Sequence, residues 1–313
     1  MKKEALLFDH DGGVDDLLSL MLLLSMDQIE IKGISITPAD CIADYATEST
    51  QKLLSLFQQT AIPVAVGKYH GINAFPLEWR AGPMVLNALP MMINVDTRTQ
   101  QLAPGGSIDL LADQLQKAEH PVKVLLTGPC SNLVRTLQQF PTLRAKIKEV
   151  IWMGGAVDTG GNVVTYNHNS TAEWNVYWDP VSAQQLFEME LPITLFPLDV
   201  TNAVPVNFEF LKELATQVEF DLSNLAGQFW ATTLNTIPAY EYTYYMWDIL
   251  ATSYLGIPDA FQFEDIELSV STQAPNTGQT LRTKGNGNWV HVAKTVDKQA
   301  FYQYILNQFN TNF

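Results

Sequence analysis

A short apolar run at residues 5–8 breaks into an acidic, glycine-containing loop at 9–16 and resumes as an apolar stretch at 17–24, the pattern of a strand, a loop and a helix. The pattern recurs. Residues 29–36 alternate like a strand, 37–41 form a loop and 45–57 carry helical apolar spacing. Further strands are expected at 64–66, 122–126 and 149–153. The fourth strand runs into the turn Thr127-Gly128-Pro129 and a helix from about Asn132, and the fifth ends in Gly154-Gly155. Strands alternating with helices predict an α/β fold: a doubly wound, mostly parallel sheet flanked by helices. No linker-like shift in composition interrupts the 313 residues, so the chain reads as a single domain, 1–313. The stretch 67–106 holds several prolines and aromatics with little periodicity and reads as an insertion beside the binding face. The C-terminal third reads as helices at 208–214, 222–234 and 246–255, strands at 267–271 and 290–293, and a last helix at 298–309.

Ligands of such sheets bind beyond the carboxyl ends of the strands, and the loops there are acidic. Asp9-His10-Asp11-Gly12-Gly13-Val14-Asp15-Asp16 places four carboxylates within eight residues. Like charges this close raise one another's pKa or need a counter-ion, and carboxylate oxygens are the hard ligands that Ca²⁺ and Mg²⁺ prefer. The competing reading has Asp15 or Asp16 capping the next helix and the other acids in water. Asn162 after a glycine suits a turn as well as a site, and Asp40 suits a helix cap. Asp248, inside an apolar helical stretch, is better read as a ligand, because an unpaired buried carboxylate is costly.

Charge excludes other partners. Eighteen Lys and Arg against 33 Asp and Glu give a net charge of -15, which repels phosphate backbones, so no nucleic-acid partner is expected. The apolar run before Asp9 is too short for a signal-peptide core or a membrane span, and Cys41 and Cys130 are too few for a disulfide framework. A cytoplasmic protein is expected.

The acidic loop resembles the amino-terminal Asp-x-Asp-x-Gly-x-Asp-Asp signature of the nucleoside hydrolases, and the resemblance continues in order along most of the chain. It runs through Ile36-Thr37-Pro38-Ala39-Asp40-Cys41, Thr127-Gly128-Pro129, Trp152-Met153-Gly154-Gly155-Ala156-Val157 and Gly161-Asn162. Thr171-Ala172-Glu173-Trp174-Asn175-Val176-Tyr177-Trp178-Asp179-Pro180 and Trp247-Asp248 follow. The resemblance implies a Rossmann-like nucleoside hydrolase fold and a calcium ion held by Asp11, Asp16, Asp248 and the main-chain carbonyl of Thr127. It implies a water on that ion that gives its proton to Asp11 as general base. Asp15, Asp40, Asn162, Glu173 and Asn175 resemble the family's ribose ligands, Trp174 belongs to the same pocket, and Asp9 would orient the others from behind. A small homo-oligomer, dimer or tetramer, is implied by family analogy alone.

Several residues resemble the branch that prefers purine nucleosides. The loop reads Asp-His-Asp-Gly, position 40 is Asp, and the segment from Phe75 to Trp79 is similar to the element that brings an aromatic over the base. Trp247 precedes Asp248 where the nonspecific branch has a histidine acting as general acid, and none of the five histidines, His10, His70, His120, His168 and His291, stands there. Trp79 and Trp247 are therefore expected to stack on the purine and stabilise its protonated form. The loop at 166–170 departs from the family pattern. No Lys or Arg is among the pocket candidates, so a 5′-phosphate is expected to be rejected. Two rival enzymes fare worse. A haloacid dehalogenase-type phosphatase would use Asp9 as nucleophile but needs a later Gly-Asp pair, and the sequence has no Gly-Asp dipeptide. A Rossmann dehydrogenase needs a Gly-x-Gly-x-x-Gly after the first strand, which is missing. A binding protein without turnover is disfavoured because Asp11 and all the metal carboxylates are present.

Overall fold

The computed structural model describes residues 3–77, 80, 82–98, 100–233 and 243–313, with only the backbone at 82 and 83. Strands and helices alternate from the start: β1 (Glu4–His10), α1 (Val14–Ser25), β2 (Ile29–Ile36), α2 (Ala43–Leu56), β3 (Val64–Val66), α3 (Gly82–Leu86), α4 (Ser107–Lys117), β4 (Val122–Leu126), α5 (Ser131–Gln139) and β5 (Ile147–Met153). There follow α6 (Trp174–Trp178), α7 (Pro180–Phe187), β6 (Ile193–Phe196), α8 (Leu198–Thr201), α9 (Phe208–Ala215), α10 (Asp221–Thr233) and α11 (Trp247–Ser253). The chain ends with β7 (Phe261–Val270), β8 (Thr280–Arg282), β9 (Asn288–Val296) and α12 (Lys298–Phe309). Among the described residues the strands form one nine-stranded sheet in the order β3-β2-β1-β4-β5-β6-β9-β7-β8. All neighbours from β3 to β9 are parallel, and β7 is antiparallel to β9 and β8.

β1 shows why its residues make a central strand. Successive side chains point to opposite faces, so Leu6 and Phe8 enter the core on one side of the sheet and Leu7 the core on the other. A strand covered on both faces reads as an unbroken apolar run. α1 is apolar nearly all round because it is buried between the sheet and the helices α10, α11 and α12. Each of its fully buried leucines stabilises the fold by about 1.5–3 kcal/mol relative to exposure.

The chain winds outward from β1 through β2 to β3, then restarts at β4 on the other side of β1. The strand order thus reverses between β1 and β4, and their carboxyl ends diverge into a crevice where such sheets bind ligands. Gly12 lies in the loop leaving β1 with φ +83°, and a Cβ there would collide with the Cys41 Sγ and the Ala46 Cβ, so only glycine fits.

The strands expected at 29–36, 64–66 and 122–126 and the helix at 298–309 coincide with β2, β3, β4 and α12. β7 begins well before 267, at Phe261, and β6 was not anticipated. The helix expected at 222–234 ends at Thr233, and Leu234 lies outside the described residues. Among the described residues, no helix is long and apolar enough to cross a membrane.

Candidate active site

Six aspartates converge at the β1/β4 crevice, five of them buried and Asp40 half-buried. β1 delivers Asp9 and its following loop Asp11, the first turn of α1 carries Asp15 and Asp16, the loop after β2 carries Asp40, and the first turn of α11 carries Asp248. Acids in a helix's first turn are favoured by the helix dipole, which helps α1 hold two of them. Asp16 accepts from the Gly13 amide at 2.7 Å through Oδ2 and from the Thr127 hydroxyl through Oδ1, so it ties α1 to the end of β4. Asp15 accepts from the Tyr244 hydroxyl at 2.8 Å and from the Asp248 amide at 3.2 Å. Asp11 accepts from the Asp40 amide at 3.1 Å, and its own carbonyl accepts from the Cys41 thiol. Asp9 accepts from the Thr37 hydroxyl at 2.8 Å, and Asn132 donates to that hydroxyl and to Ser35. Its hydrogen bonds therefore lie beneath the loop.

Burial dominates the electrostatics. It pushes Asp9 up to about 7 against the pull of the Ser35, Thr37 and Asn132 side chains. Burial first, and the neighbouring carboxylates second, raise Asp11 and Asp248 well above the ordinary range. Asp16 is pushed up to about 6 by burial and Asp15, and Asp40 to about 8 by burial, Asp16 and Asp15, with Arg80 pulling the other way. Carboxylate oxygens of Asp15, Asp16 and Asp248 lie within 4.8 Å of one another, and Oδ1 of Asp40 is buried without a hydrogen-bond partner. Buried, hard, anionic oxygens at this spacing fit a divalent cation such as Ca²⁺. Asp15, which the family resemblance places at the sugar, has its carboxylate in this oxygen cluster alongside Asp16 and Asp248. Asp11 meets Asp16 and the Asp40 amide.

The remaining candidates surround this cluster. Asn175 donates from Nδ2 to the Thr127 carbonyl at 2.9 Å and to the Met153 carbonyl at 3.1 Å. Glu173 caps α6: it accepts from the amides of Asn175 and Gly155, each at 2.8 Å, and of Val176 at 3.3 Å, while burial pushes it up to about 7. Asn162 is held through its backbone to Ala172, and its Oδ1 is buried without a partner. Phe75 stacks on Trp174 with ring centroids 5.0 Å apart, inside a small cluster with Ala39, Val163, Tyr177 and Trp178. Trp247 is half-buried, its indole N–H donates to Asn202 at 2.9 Å, and Tyr244 meets it edge-on at 4.9 Å. Trp79 lies outside the described residues. Sequence reasoning missed Tyr244, Asn202 and Arg80. Tyr244 precedes α11 and reaches Asp15 from 229 positions away, so no local pattern signals it, and Arg80 brings a cation to a pocket expected to hold none.

A family model described as inosine-uridine preferring nucleoside hydrolase matches residues 6–303. The solved structure of an inosine-uridine preferring nucleoside hydrolase from Bacillus anthracis superposes with a TM-score of 0.92 at 34% identity, over 98% of this chain and 99% of that one. A purine-preferring ribonucleoside hydrolase from Gardnerella vaginalis shares the fold, with a TM-score of 0.82 at 21% identity over 98% of both chains. Among curated relatives, the pyrimidine-specific ribonucleoside hydrolase RihA of Escherichia coli O1:K1 is 28% identical over 206 residues, which are 65% of this chain. The match spans 63% of that relative's length. On the family match and the Bacillus anthracis likeness, the chain belongs to the inosine-uridine preferring nucleoside hydrolase family.

Proposed function

We propose that the protein hydrolyses the N-glycosidic bond of purine ribonucleosides to free base and ribose, with a calcium ion in its acidic cluster. The observation that carries the reading is the clustering of buried carboxylates of Asp15, Asp16 and Asp248, with Asp11 beside them, at the β1/β4 crevice. Asp11, Asp16, Asp248 and the Thr127 carbonyl would hold the ion, with Asp15 beside them. When bound, Ca²⁺ supplies positive charge that acidifies water and draws hydroxyl oxygens into place.

The chain's own residues do the rest. Asp11 accepts a proton as the oxygen of water bonds to C1′ of the ribose. The C1′–N9 bond breaks, and its electron pair leaves with the purine, which takes a proton from solvent. Asp15, Asp40, Asn162, Glu173 and Asn175 orient the sugar hydroxyls. Stacking on Trp247, and on Trp79, stabilises the departing base, and stacking is worth roughly 1–3 kcal/mol per base. Purine preference rests on Trp247 beside Asp248 and on the lack of a histidine at that place. The names of the Escherichia coli relatives favour the other reading, a pyrimidine substrate.

One experiment separates these readings. Inosine, adenosine, guanosine, uridine and cytidine are incubated with wild type and Asp11→Ala, with and without chelator, and free base is followed. Purines are expected to be cleaved well, pyrimidines poorly, and chelator to stop turnover. Asp11→Ala should lose at least about 10²–10⁴-fold. Uridine cleaved faster than inosine refutes purine preference, and full activity in chelator refutes the metal.

A further inference from the structure

The insertion between β3 and α4 is fastened at both roots. At its start, Asn73 donates to the Tyr177 carbonyl at 2.6 Å and Phe75 stacks on Trp174. At its end, the buried Lys52 of α2 donates to the Asn87 carbonyl at 3.2 Å, Asn87 donates to the Tyr45 carbonyl at 3.1 Å, and Gln100 donates to the Gln51 carbonyl at 2.9 Å. Between the roots, among the described residues, Leu77 is 76% exposed and Met84 and Val85 are exposed too, while Leu86 is buried. Here Arg80 reaches back to the body of the protein. Its backbone amide closes a turn onto the Leu77 carbonyl at 3.2 Å, its Nη2 donates to the Cys41 carbonyl at 3.3 Å, and its Nε is buried without a hydrogen-bond partner.

Cys41 joins this contact to the reacting end of the pocket. Its thiol donates to the Asp11 carbonyl, and the preceding amide, that of Asp40, donates to the Asp11 carboxylate at 3.1 Å. One residue step therefore separates the guanidinium's anchor from the proposed base. Arg80 also counters, with its charge, the burial and the carboxylates that act on Asp40. A guanidinium has five donors in a rigid fork and stays charged when buried, so it holds a carbonyl and faces a carboxylate at once, as no lysine does in the same geometry.

We propose that Arg80 is a positioning residue for ribose recognition: through the Cys41 carbonyl it fixes the Asp40–Cys41 step against Asp11 and so sets where Asp40 meets the sugar. This rests on the reading of Asp40 as a ribose ligand in a nucleosidase. The role concerns the sugar, so it is indifferent to the base.

The test compares wild type with Arg80→Ala, Arg80→Lys and Arg80→Gln on inosine and on p-nitrophenyl riboside, which share the ribose and differ in leaving group. Arg80→Ala is expected to raise KM by at least about fivefold, by the same factor on both substrates, with kcat within about threefold of wild type. Arg80→Lys should recover part of the loss, and millimolar guanidinium should restore KM in Arg80→Ala at an unchanged thermal midpoint. A lowered midpoint without a KM effect, an unchanged KM on both substrates, or a loss confined to inosine overturns the inference while wild-type turnover stands. A wild type inert towards every nucleoside brings down the functional reading, and this inference with it.

Discussion

Trp247 is packed and tethered beside the acidic cluster. Its indole edge is tethered to Asn202 and its neighbour Asp248 stands among the clustered carboxylates, so the ring is fixed relative to the place where a leaving base would stand. If it stabilises a protonated purine, Trp247→Ala should lower kcat for inosine by at least about tenfold, or roughly 1.4 kcal/mol of barrier. It should barely affect p-nitrophenyl riboside, whose leaving group needs no proton. Equal losses on the two substrates would assign the ring to packing alone. At this scale the sequence was most legible where charge is crowded: acids at positions 9, 11, 15 and 16 announce themselves because their repulsion demands an explanation. It was least legible where the partner arrives from far along the chain. Tyr244 meets Asp15 across 229 positions, and nothing local in either segment signals that hydrogen bond. Arg80 was hidden likewise, since its anchor is a backbone carbonyl with no side-chain signature.

Elements were legible in proportion to the length and regularity of their pattern. β2 alternates over eight residues and was placed to the residue, whereas β6 is a buried four-residue run, Ile193-Thr194-Leu195-Phe196, between two prolines, too short for periodicity to tell strand from helix. β7 was cut short in the sequence reading because its register slips at Gln262 and Phe263, and charged residues occupy its middle. That charge has a use. Arg282 of β8 donates to Asp158, after β5, at 2.6 and 2.7 Å and to Glu264 of β7, and Lys294 of β9 joins Asp158 as well. The hydrogen bonds from Arg282, more than any other influence, hold the Asp158 carboxyl well below the usual range. A carboxylate lowered in the folded state stabilises it fully above its unfolded pKa, 3.8, and loses that contribution as pH falls towards the folded value. Asp158→Asn should therefore lower the thermal midpoint at pH 7, by only about 1–2 °C because the pair is solvent-screened. The gap to wild type should close as pH drops below about 4. A gap that persists unchanged at pH 2 would show that the ion pairs are not its source.

At the scale of the whole molecule, one sheet receives strands from both ends of the chain, and the acidic cluster draws on α1 and α11 together. A ligand bound there couples the two ends. An ion present at about 100 times its Kd stabilises the native state by roughly 2.7 kcal/mol, so chelation should lower the midpoint by about 4 °C in a single transition seen alike by circular dichroism and tryptophan fluorescence. Two separated transitions would divide the chain into independently folding parts. The span between Asp15 and Asp248, 233 positions, also bears on how the protein is made. During synthesis the acids of the first loop emerge together and stay mutually repelling, while the last joins only after a further 233 positions have been made. The nascent chain cannot assemble the full cluster before Asp248 has emerged.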